Sequence, residues 1–205
     1  MKFELVKKVP IVELDGKKCF VDTGAPCAVE PTGPGVWEFF GIHRLHVAGR
    51  GWLKRFTKFD YLNHEITRSE DPVPLEGETM RMEIRENCKW PGWLVKMTVG
   101  GVEGMRYIDT GAAFSYVHNL SKDFPSDGNA DECAFDGRPW TAPMRRVPCE
   151  FAGHPFEILC GDARDNKARL DCCAVPPEGV IGYDFFTNFT VVIDRIGGKM
   201  TFVKN

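Results

Sequence analysis

The chain reads Lys-Cys-Phe-Val-Asp-Thr-Gly-Ala-Pro over residues 18–26 and Arg-Tyr-Ile-Asp-Thr-Gly-Ala-Ala over residues 106–113. In each copy, two large apolar residues lead directly into Asp-Thr-Gly-Ala. Aromatic and β-branched residues favour strands, and the residues that follow favour a turn. Each copy therefore predicts a buried strand that presents a carboxylate at its end, Asp22 in the first and Asp109 in the second.

Two such strands, related by an approximate two-fold axis, would bring the carboxyl groups of Asp22 and Asp109 face to face. Two carboxyl groups this close do not both ionise, so they share a proton and can act as acid and base on one water molecule. The duplicated phrase therefore indicates an aspartic peptidase. Because the pair and one water suffice for this chemistry, we expect no metal ion and no organic cofactor.

A third element reads Val-Ile-Gly-Tyr-Asp-Phe-Phe over residues 180–186 and is followed by an apolar run over 189–194. Together with the two Asp-Thr-Gly-Ala phrases, it resembles the pepsin and retropepsin superfamily of aspartic peptidases, and the retropepsin branch more closely. In that family the glycine of this element, here Gly182, lets another backbone segment pass beside the catalytic turn. The resemblance implies an all-β, acid-protease fold, a closed barrel with two unequal, pseudo-symmetric lobes in one chain.

The resemblance also implies a role for each residue of the two turns. Asp22 and Asp109 would be the catalytic pair that holds the water. The threonines would bond across the interface between the turns, and the glycines would let backbone N–H groups approach the carboxylates. These supporting residues are Thr23, Thr110, Gly24 and Gly111.

Ala25 and Ala112 end the two phrases, where pepsin-like enzymes usually carry Ser or Thr. A hydroxyl at this position donates a hydrogen bond to the catalytic carboxylate and lowers its pKa, and alanine removes that bond. We therefore expect a pH optimum of about 5 to 7, set by the two apparent pKa values of the pair. This range agrees with a cytoplasmic location.

Alternation and turn residues predict one hairpin before each aspartate, Val9–Leu14 with 18–21 and 93–99 with 105–108. Further along, residues 45–53 match residues 149–157, since both read as a hairpin that turns on Ala-Gly with an aromatic residue after it. On this alignment the second copy carries about 17 extra residues between the two features, a difference of 104 less 87.

This insertion predicts the mobile hairpin, or flap, that closes over substrate in related enzymes. Its candidate residues are Phe135, Asp136, Gly137 and Trp140. A surface loop with tucked aromatic side chains is the alternative interpretation. The matching stretch of the first half, residues 33–41, is shorter and is either a second flap or a packed loop.

The first half holds only a degenerate copy of the apolar-apolar-Gly element, at residues 61–66, with Asn63 in place of the glycine. We therefore predict a reduced N-terminal lobe over 1–78, with Asp22, and a complete C-terminal lobe over 79–205, with Asp109. Residues 67–78, rich in charge and proline, are predicted to be the linker. A strand over 80–86 would join the lobes.

The net charge is −3, which favours neither nucleic acid nor an anionic membrane as a partner. The N-terminus has no apolar run long enough for a signal peptide or a membrane span, so we expect a cytoplasmic protein. Its eight cysteines form no paired zinc-binding spacing, and we expect mostly reduced, packed thiols. The five histidines fit no catalytic or metal-binding pattern.

The most direct hypothesis is an endopeptidase that acts on peptide or protein substrates with an Asp22/Asp109 pair. Two alternatives remain open on the sequence. One is a peptide-binding module that uses the same groove without hydrolysis. The other is a homodimer that pairs two copies of Asp109, as retropepsins do with one aspartate per chain, but the duplication favours a monomer.

Overall fold

The computed structural model describes residues 1–85, 92–133, 137–165 and 178–205. Most of these residues lie in strands, which confirms the predicted all-β class. Two short helices are present in them, α1 at Pro34–Phe40 and α2 at Tyr183–Asn188, with 3₁₀ turns at Arg50–Trp52 and Ala163–Asp165. The strands are β1 Glu4–Val6, β2 Val9–Leu14, β3 Lys17–Val21, β4 Val29–Pro31, β5 His46–Ala48, β6 Phe56–Asp60, β7 Glu65–Ser69, β8 Glu78–Arg81, β9 Glu83–Arg85, β10 Gly92–Val99, β11 Val102–Ile108, β12 Ser115–Val117, β13 Ser126–Cys133, β14 Pro139–Phe151, β15 His154–Asp162, β16 Val180–Ile181, β17 Phe189–Asp194 and β18 Lys199–Lys204.

Three sheets organise the described strands. The first has the order β1-β2-β3-β5-β4 and comes entirely from the first half of the chain. The second has the order β13-β14-β15-β12-β16-β11-β10-β9, and an extra pairing of β14 with β10 closes part of it into a ring. The third has the order β7-β6-β17-β18-β8 and takes strands from both halves.

Both hairpins predicted before the aspartates are confirmed. Strand β2 pairs with β3 around Asp15-Gly16, and β10 pairs with β11 around Gly100-Gly101. All four turn residues have positive φ, which is the backbone conformation that two-residue hairpin turns of this kind need. The hairpin predicted at Ala152-Gly153 is also present, as the turn between β14 and β15.

The two halves follow one topology. In the first, β3 runs parallel to β5, and β4 runs antiparallel to β5. In the second, β11 runs parallel to β16, and β12 runs antiparallel to β16. The equivalent of the Val-Ile-Gly element is therefore Val47-Ala48-Gly49, at the end of β5.

The alignment of residues 45–53 with 149–157 is consequently wrong, as is the assignment of a degenerate element to residues 61–66. Residues 45–53 form β5 and a 3₁₀ turn, and residues 61–64 form the turn between β6 and β7. The first error arises because an apolar run before Ala-Gly looks alike in a hairpin and in a strand that ends beside another turn. The second follows from the first, because residues 45–53, once aligned with a hairpin, no longer count as the equivalent of the Val-Ile-Gly element. Only the partner strand distinguishes these two structures.

The size of the insertion changes with this correction. The aspartates are 87 residues apart and the glycines Gly49 and Gly182 are 133 apart, so the second half carries 46 more residues between them, not about 17. Strands β13, β14 and β15 occupy the insertion. In the first half the corresponding segment is helix α1 at residues 34–40, which is neither a flap nor an irregular loop.

The third sheet joins the halves through an antiparallel pairing of β6 with β17, in which Phe59 lies opposite Val191. Strand β8, in the region predicted to connect the lobes, pairs with β18. The predicted linker at 67–78 is partly strand, because β7 extends to Ser69 and β8 starts at Glu78. The boundary between residues 78 and 79 stays a prediction.

One hydrophobic core continues from the first half into the second. Phe59 of β6 is fully buried, and its ring lies 5.7 Å from that of Phe186 and 6.5 Å from that of Trp93, measured between ring centroids. The core also holds Val21 and Ile108, which precede the two aspartates. Burial of this shared core fixes the ends of β3 and β11 relative to each other.

Five of the eight cysteines lie in described residues, and all five are free thiols: Cys19, Cys27, Cys133, Cys149 and Cys160. Burial raises the pKa of the Cys149 thiol to about 12. Cys88, Cys172 and Cys173 lie outside the described residues. In the part of the chain that is described, none of the helices has the length and apolar character needed to cross a membrane.

We predict that Phe59→Ala lowers the free energy of unfolding by about 3–5 kcal/mol, because a large ring is removed from a packed core between the halves. Urea unfolding followed by circular dichroism measures the change. Leu62→Ala is the matched control, since Leu62 is 66% exposed and its truncation should cost less than about 0.5 kcal/mol. Equal losses in the two variants would contradict a core shared by the halves.

Candidate active site

The two Asp-Thr-Gly turns have equivalent supports. The Asp22 N–H donates to the Ala48 carbonyl at 3.0 Å, and the Asp109 N–H donates to the Ile181 carbonyl, also at 3.0 Å. In each half the next residue after this carbonyl is a glycine, Gly49 or Gly182. A side chain at either glycine would overlap the carbonyl oxygen of the alanine that ends the Asp-Thr-Gly-Ala phrase. Glycine is therefore required by this close approach.

The threonines connect the two turns by reciprocal hydrogen bonds. The Thr23 N–H donates to Oγ1 of Thr110 at 3.1 Å, and the Thr110 N–H donates to Oγ1 of Thr23 at 3.0 Å. The Thr110 hydroxyl then donates to the Val21 carbonyl at 2.8 Å. Both threonines are 1% exposed, so these bonds are shielded from water and from competition by it.

The carboxyl groups of Asp22 and Asp109 lie against each other's turns. A Cβ added to Gly24 would lie 2.5 Å from Oδ2 of Asp109, and one added to Gly111 would lie 2.5 Å from Cγ of Asp22. Only a residue without a side chain fits in these two places. Each aspartate keeps a partly exposed edge. The structure thus places the predicted pair together at the junction of the two halves.

Backbone N–H groups converge on one oxygen of each carboxyl group. Oδ1 of Asp22 accepts from the N–H groups of Gly24 at 2.8 Å and Ala25 at 3.0 Å. Oδ1 of Asp109 accepts from Gly111 at 2.9 Å, from Gly24 at 3.0 Å and from the Thr23 hydroxyl at 3.4 Å. Asp109 therefore has one more donor than Asp22.

Burial raises the pKa of the Asp22 carboxyl well above its ordinary value, and the negative charge of Asp109 and a hydrogen bond with its carboxyl raise it further. The N–H groups of Ala25 and Gly24 oppose this shift only in part. The additional donor on Asp109 stabilises a negative charge there. Both effects favour the protonated form of the Asp22 carboxyl group.

Ala25 and Ala112 are buried beside the pair and bring no hydroxyl to it. Ala25 contributes its backbone N–H to Asp22. Ala112 instead accepts a hydrogen bond at its carbonyl from the Tyr183 N–H, at 3.0 Å. This bond ties the second turn to the start of α2.

The predicted flap falls partly outside the described residues, which include neither Phe135 nor Asp136. Gly137 has φ of +87°, and its backbone lies directly against Gly35 of α1, where a Cβ on either residue would meet the other's backbone within 3 Å. Trp140, at the start of β14, is buried, with its ring centroid 5.2 Å from that of Tyr116. The insertion of the second half thus contacts the helix of the first half.

Tyr61 is a neighbour of the pair that the sequence did not single out. Its ring is buried and stacks on Phe186 at 5.2 Å. Burial raises the pKa of its phenol well above the ordinary value, and the charge of Asp109 adds to the effect. Nothing in the local sequence marks this tyrosine, because its position depends on the pairing of β6, which it follows, with β17 of the other half.

No family model matches this sequence, and no match is found among curated proteins. Within the described ranges, no three His, Cys, Asp or Glu side chains are grouped as metal ligands would be. The site presents two carboxyl groups in contact, each on an Asp-Thr-Gly turn and each with a partly exposed edge.

We predict that Thr110→Val lowers the free energy of unfolding by about 1–3 kcal/mol, because the Thr23 N–H and the Val21 carbonyl lose their partner in a buried place. Valine keeps the volume of the side chain. Thr110→Ser is the control, since it retains the hydroxyl, and should unfold at a urea concentration closer to that of the wild type. Equal losses for valine and serine would show that the methyl group, not the hydrogen bonds, stabilises this contact.

The raised pKa of Asp22 predicts a pH-dependent stability. Because the folded-state pKa is above the unfolded value of about 3.9, the folded protein binds more protons. Stabilisation present at about pH 3 is then lost as the pH rises through the folded-state pKa. Asp22→Asn removes this titration, so it should match the wild-type melting temperature at about pH 3 and exceed it at pH 7.

Calorimetry across this pH range makes the measurement. Asp71→Asn is the matched control, because it removes one exposed aspartate from a surface loop and should follow the wild-type curve. If Asp22→Asn melts below the wild type at pH 7, burial and the charge of Asp109 do not disfavour the charged form of Asp22.

Proposed function

We propose that this protein is an aspartic endopeptidase with a retropepsin-like, acid-protease fold. The single observation that carries the proposal is the contact of Asp22 and Asp109, each on an Asp-Thr-Gly turn, with the threonines of the two turns exchanging hydrogen bonds. Two coupled carboxyl groups with one proton provide the acid and the base that peptide hydrolysis needs.

In the proposed mechanism, Asp109, which accepts one more hydrogen bond, is the charged member of the pair, and Asp22 is the protonated one. A water molecule bound between the carboxyl groups loses a proton to the Asp109 carboxylate as its oxygen attacks the peptide carbonyl carbon. The protonated Asp22 donates a hydrogen bond to the carbonyl oxygen, which becomes negatively charged. The proton on Asp109 then passes to the amide nitrogen, and the carbon–nitrogen bond breaks. No further group has to enter this sequence of steps.

The substrate class is a peptide or protein in an extended conformation. An extended chain can bind by main-chain hydrogen bonds while its alternate side chains enter pockets. In this proposal the groove lies between a reduced N-terminal lobe, 1–78, and a complete C-terminal lobe, 79–205. Helix α1 bounds it on one side and the insertion β13–β15 on the other.

The contact between Asp22 and Asp109 within one chain supports a monomer over a homodimer that uses Asp109 only. In a homodimer the two lobes would come from two chains, whereas here the pairing of β6 with β17 joins the two halves within one chain. Ala25 and Ala112 keep the pH optimum at about 5 to 7, because they donate no side-chain hydrogen bond to the pair. That range suits the cytoplasm, which stays a prediction.

A non-catalytic peptide-binding module is a second candidate, and one observation favours it. Where the second half has strands β13–β15, the first has only the seven-residue helix α1. If only the strands of the second half cover the groove, the protein can hold a peptide without closing over it from both sides. This candidate predicts peptide binding that survives the loss of either aspartate.

The deciding experiment is cleavage of a mixed peptide library between pH 3 and pH 8 by wild type, Asp22→Asn and Asp109→Asn. We expect wild-type cleavage with an optimum near pH 5 to 7, blocked by a statine-type transition-state mimic. Each variant should lose about 10²–10⁴-fold in rate, because the acid and the base are each needed. Asp71→Asn is again the control and should keep full activity.

Each other outcome has a distinct meaning. Activity that is lost in Asp109→Asn and kept in Asp22→Asn would replace the single-chain site by a homodimer. An optimum below about pH 3.5 would contradict the role given to the two alanines. A folded wild type that cuts no peptide at any pH, but binds peptides, would establish the binding module instead.

A further inference from the structure

The turn between β1 and β2 is built from two lysines in an uncommon conformation. Val6 pairs with Val9, so Lys7 and Lys8 alone form the turn, with φ of +50° and +69°. Asparagine and glycine are the residues that favour such turns, and lysine gains nothing from this conformation. Local backbone strain of this kind is concentrated at functional sites.

The two ammonium groups lie over aromatic rings on different parts of the molecule. Nζ of Lys7 is 4.0 Å from the ring centroid of Phe39, in α1 of the same half. Nζ of Lys8 is 4.1 Å from the centroid of Phe114 and 5.4 Å from that of Tyr183, both in the second half. Lys8 is thus a half-buried cation held by two aromatic faces across the junction.

Phe114 and Tyr183 belong to the immediate surroundings of the second Asp-Thr-Gly turn. Phe114 follows Asp109 by five residues, which limits the Cα separation of the two to about 18 Å. The Tyr183 N–H binds the Ala112 carbonyl, and Ala113 packs on the apolar cluster that includes Val9. Lys8 therefore lies beside the turn that carries Asp109.

The charge of Lys8 has no close counterpart among the described residues. Burial raises the pKa of the Asp184 carboxyl, and the nearby charge of Lys8 opposes this shift only in part. Oδ2 of Asp184 accepts from the Leu159 N–H at 2.8 Å, and no ion pair joins it to Lys8. Phe114 and Tyr183 are both partly exposed. A cation on aromatic faces, beside a peptide groove, can accept a carboxylate from a ligand.

We propose that Lys8 is a specificity-determining residue that binds a carboxylate side chain of the substrate on the Phe114 side of the aspartate pair. This inference rests on the proposed peptidase function and narrows its substrates to chains with a Glu or Asp at one defined position. A bound peptide advances about 3.3 Å per residue, and side chains on one face recur at every second residue. Two to four residues therefore extend about 7–13 Å from the cleaved bond, within the limit of about 18 Å between the Cα atoms of Asp109 and Phe114.

The test uses pairs of peptides that differ only by Glu or Gln, placed in turn at each of four positions on either side of the cleaved bond. Wild type should cleave the Glu peptide about tenfold more efficiently in kcat/KM at one of these positions. Lys8→Met should reduce this ratio to about one, whereas Lys8→Arg should retain it. Lys17→Met is the matched control, since it removes an exposed lysine from the same sheet, and should leave the ratio unchanged.

A wild-type measurement guards against a variant that fails to fold. Raising the salt concentration from about 0.05 to 0.5 M should lower the Glu/Gln ratio of the wild type, because an ion pair at a partly exposed lysine is screened. A ratio of one at every position, or a ratio that Lys8→Met leaves unchanged, overturns the proposal. So does an equal loss for both peptides in Lys8→Met, which would make Lys8 only a contact between the halves.

Failure of the proposed function is distinguishable from failure of this inference. If wild type cleaves no peptide, the same Glu and Gln peptides are labelled and their binding is followed by fluorescence anisotropy. Tighter binding of one Glu peptide that disappears in Lys8→Met would support the role of Lys8 on a protein that binds without cutting. Equal binding of each pair, or no binding, overturns it together with the peptidase.

Discussion

The reciprocal hydrogen bonds between Thr23 and Thr110 are the interaction on which the rest of the site depends. Each threonine uses its backbone N–H and its side-chain oxygen on the opposite turn, so neither turn has its buried polar groups satisfied alone. An unsatisfied buried N–H is costly, and this cost makes the two turns one structural unit. The two carboxyl groups are held together as a consequence, although burial and the charge of one group disfavour ionisation of the other.

This contact also requires a frame that holds the two halves in place, and the third sheet provides it. Strands β6 and β17 pair at the junction, and the chain segments that lead into each half have equivalent supports. The Phe3 N–H donates to the His64 carbonyl, and the Met82 N–H donates to the Gly198 carbonyl. The approximate two-fold relation therefore extends from the aspartates to the strands that enter each half, and the core around Phe59 and Phe186 stabilises it.

The approximate two-fold relation does not extend to the segment between each aspartate turn and the following glycine, Gly49 or Gly182. The second half has β13, β14 and β15 in the place where the first has α1, and the two different structures meet at Gly35 and Gly137. In the proposed peptidase, these unlike walls would distinguish the two directions of a bound peptide. Lys8, whose ammonium group lies over Phe114 and Tyr183 of the second half, adds a positive charge to that asymmetry.

Much of the local structure follows from the sequence alone. The hairpins before Asp22 and Asp109, their turns and the strand class all come from alternation and turn chemistry, which act over a few residues. Duplication of Asp-Thr-Gly-Ala was enough to predict that the two aspartates meet, since one phrase on two equivalent strands implies two equivalent turns. The alanines after these turns likewise indicated that positions 25 and 112 supply no hydroxyl donor to the pair.

The tertiary structure decided what depends on strand partners. Residues 45–53 and 149–157 look alike in sequence, yet β5 pairs with β3 and β4 whereas β14 pairs with β15 and β10. The proximity of Tyr61 to Asp109, and of Lys8 to Phe114, likewise joins residues far apart in the chain. Alternation and turn residues specify which face of a strand is buried, but the partner of that strand is set by packing of the whole core, which no short stretch of sequence contains.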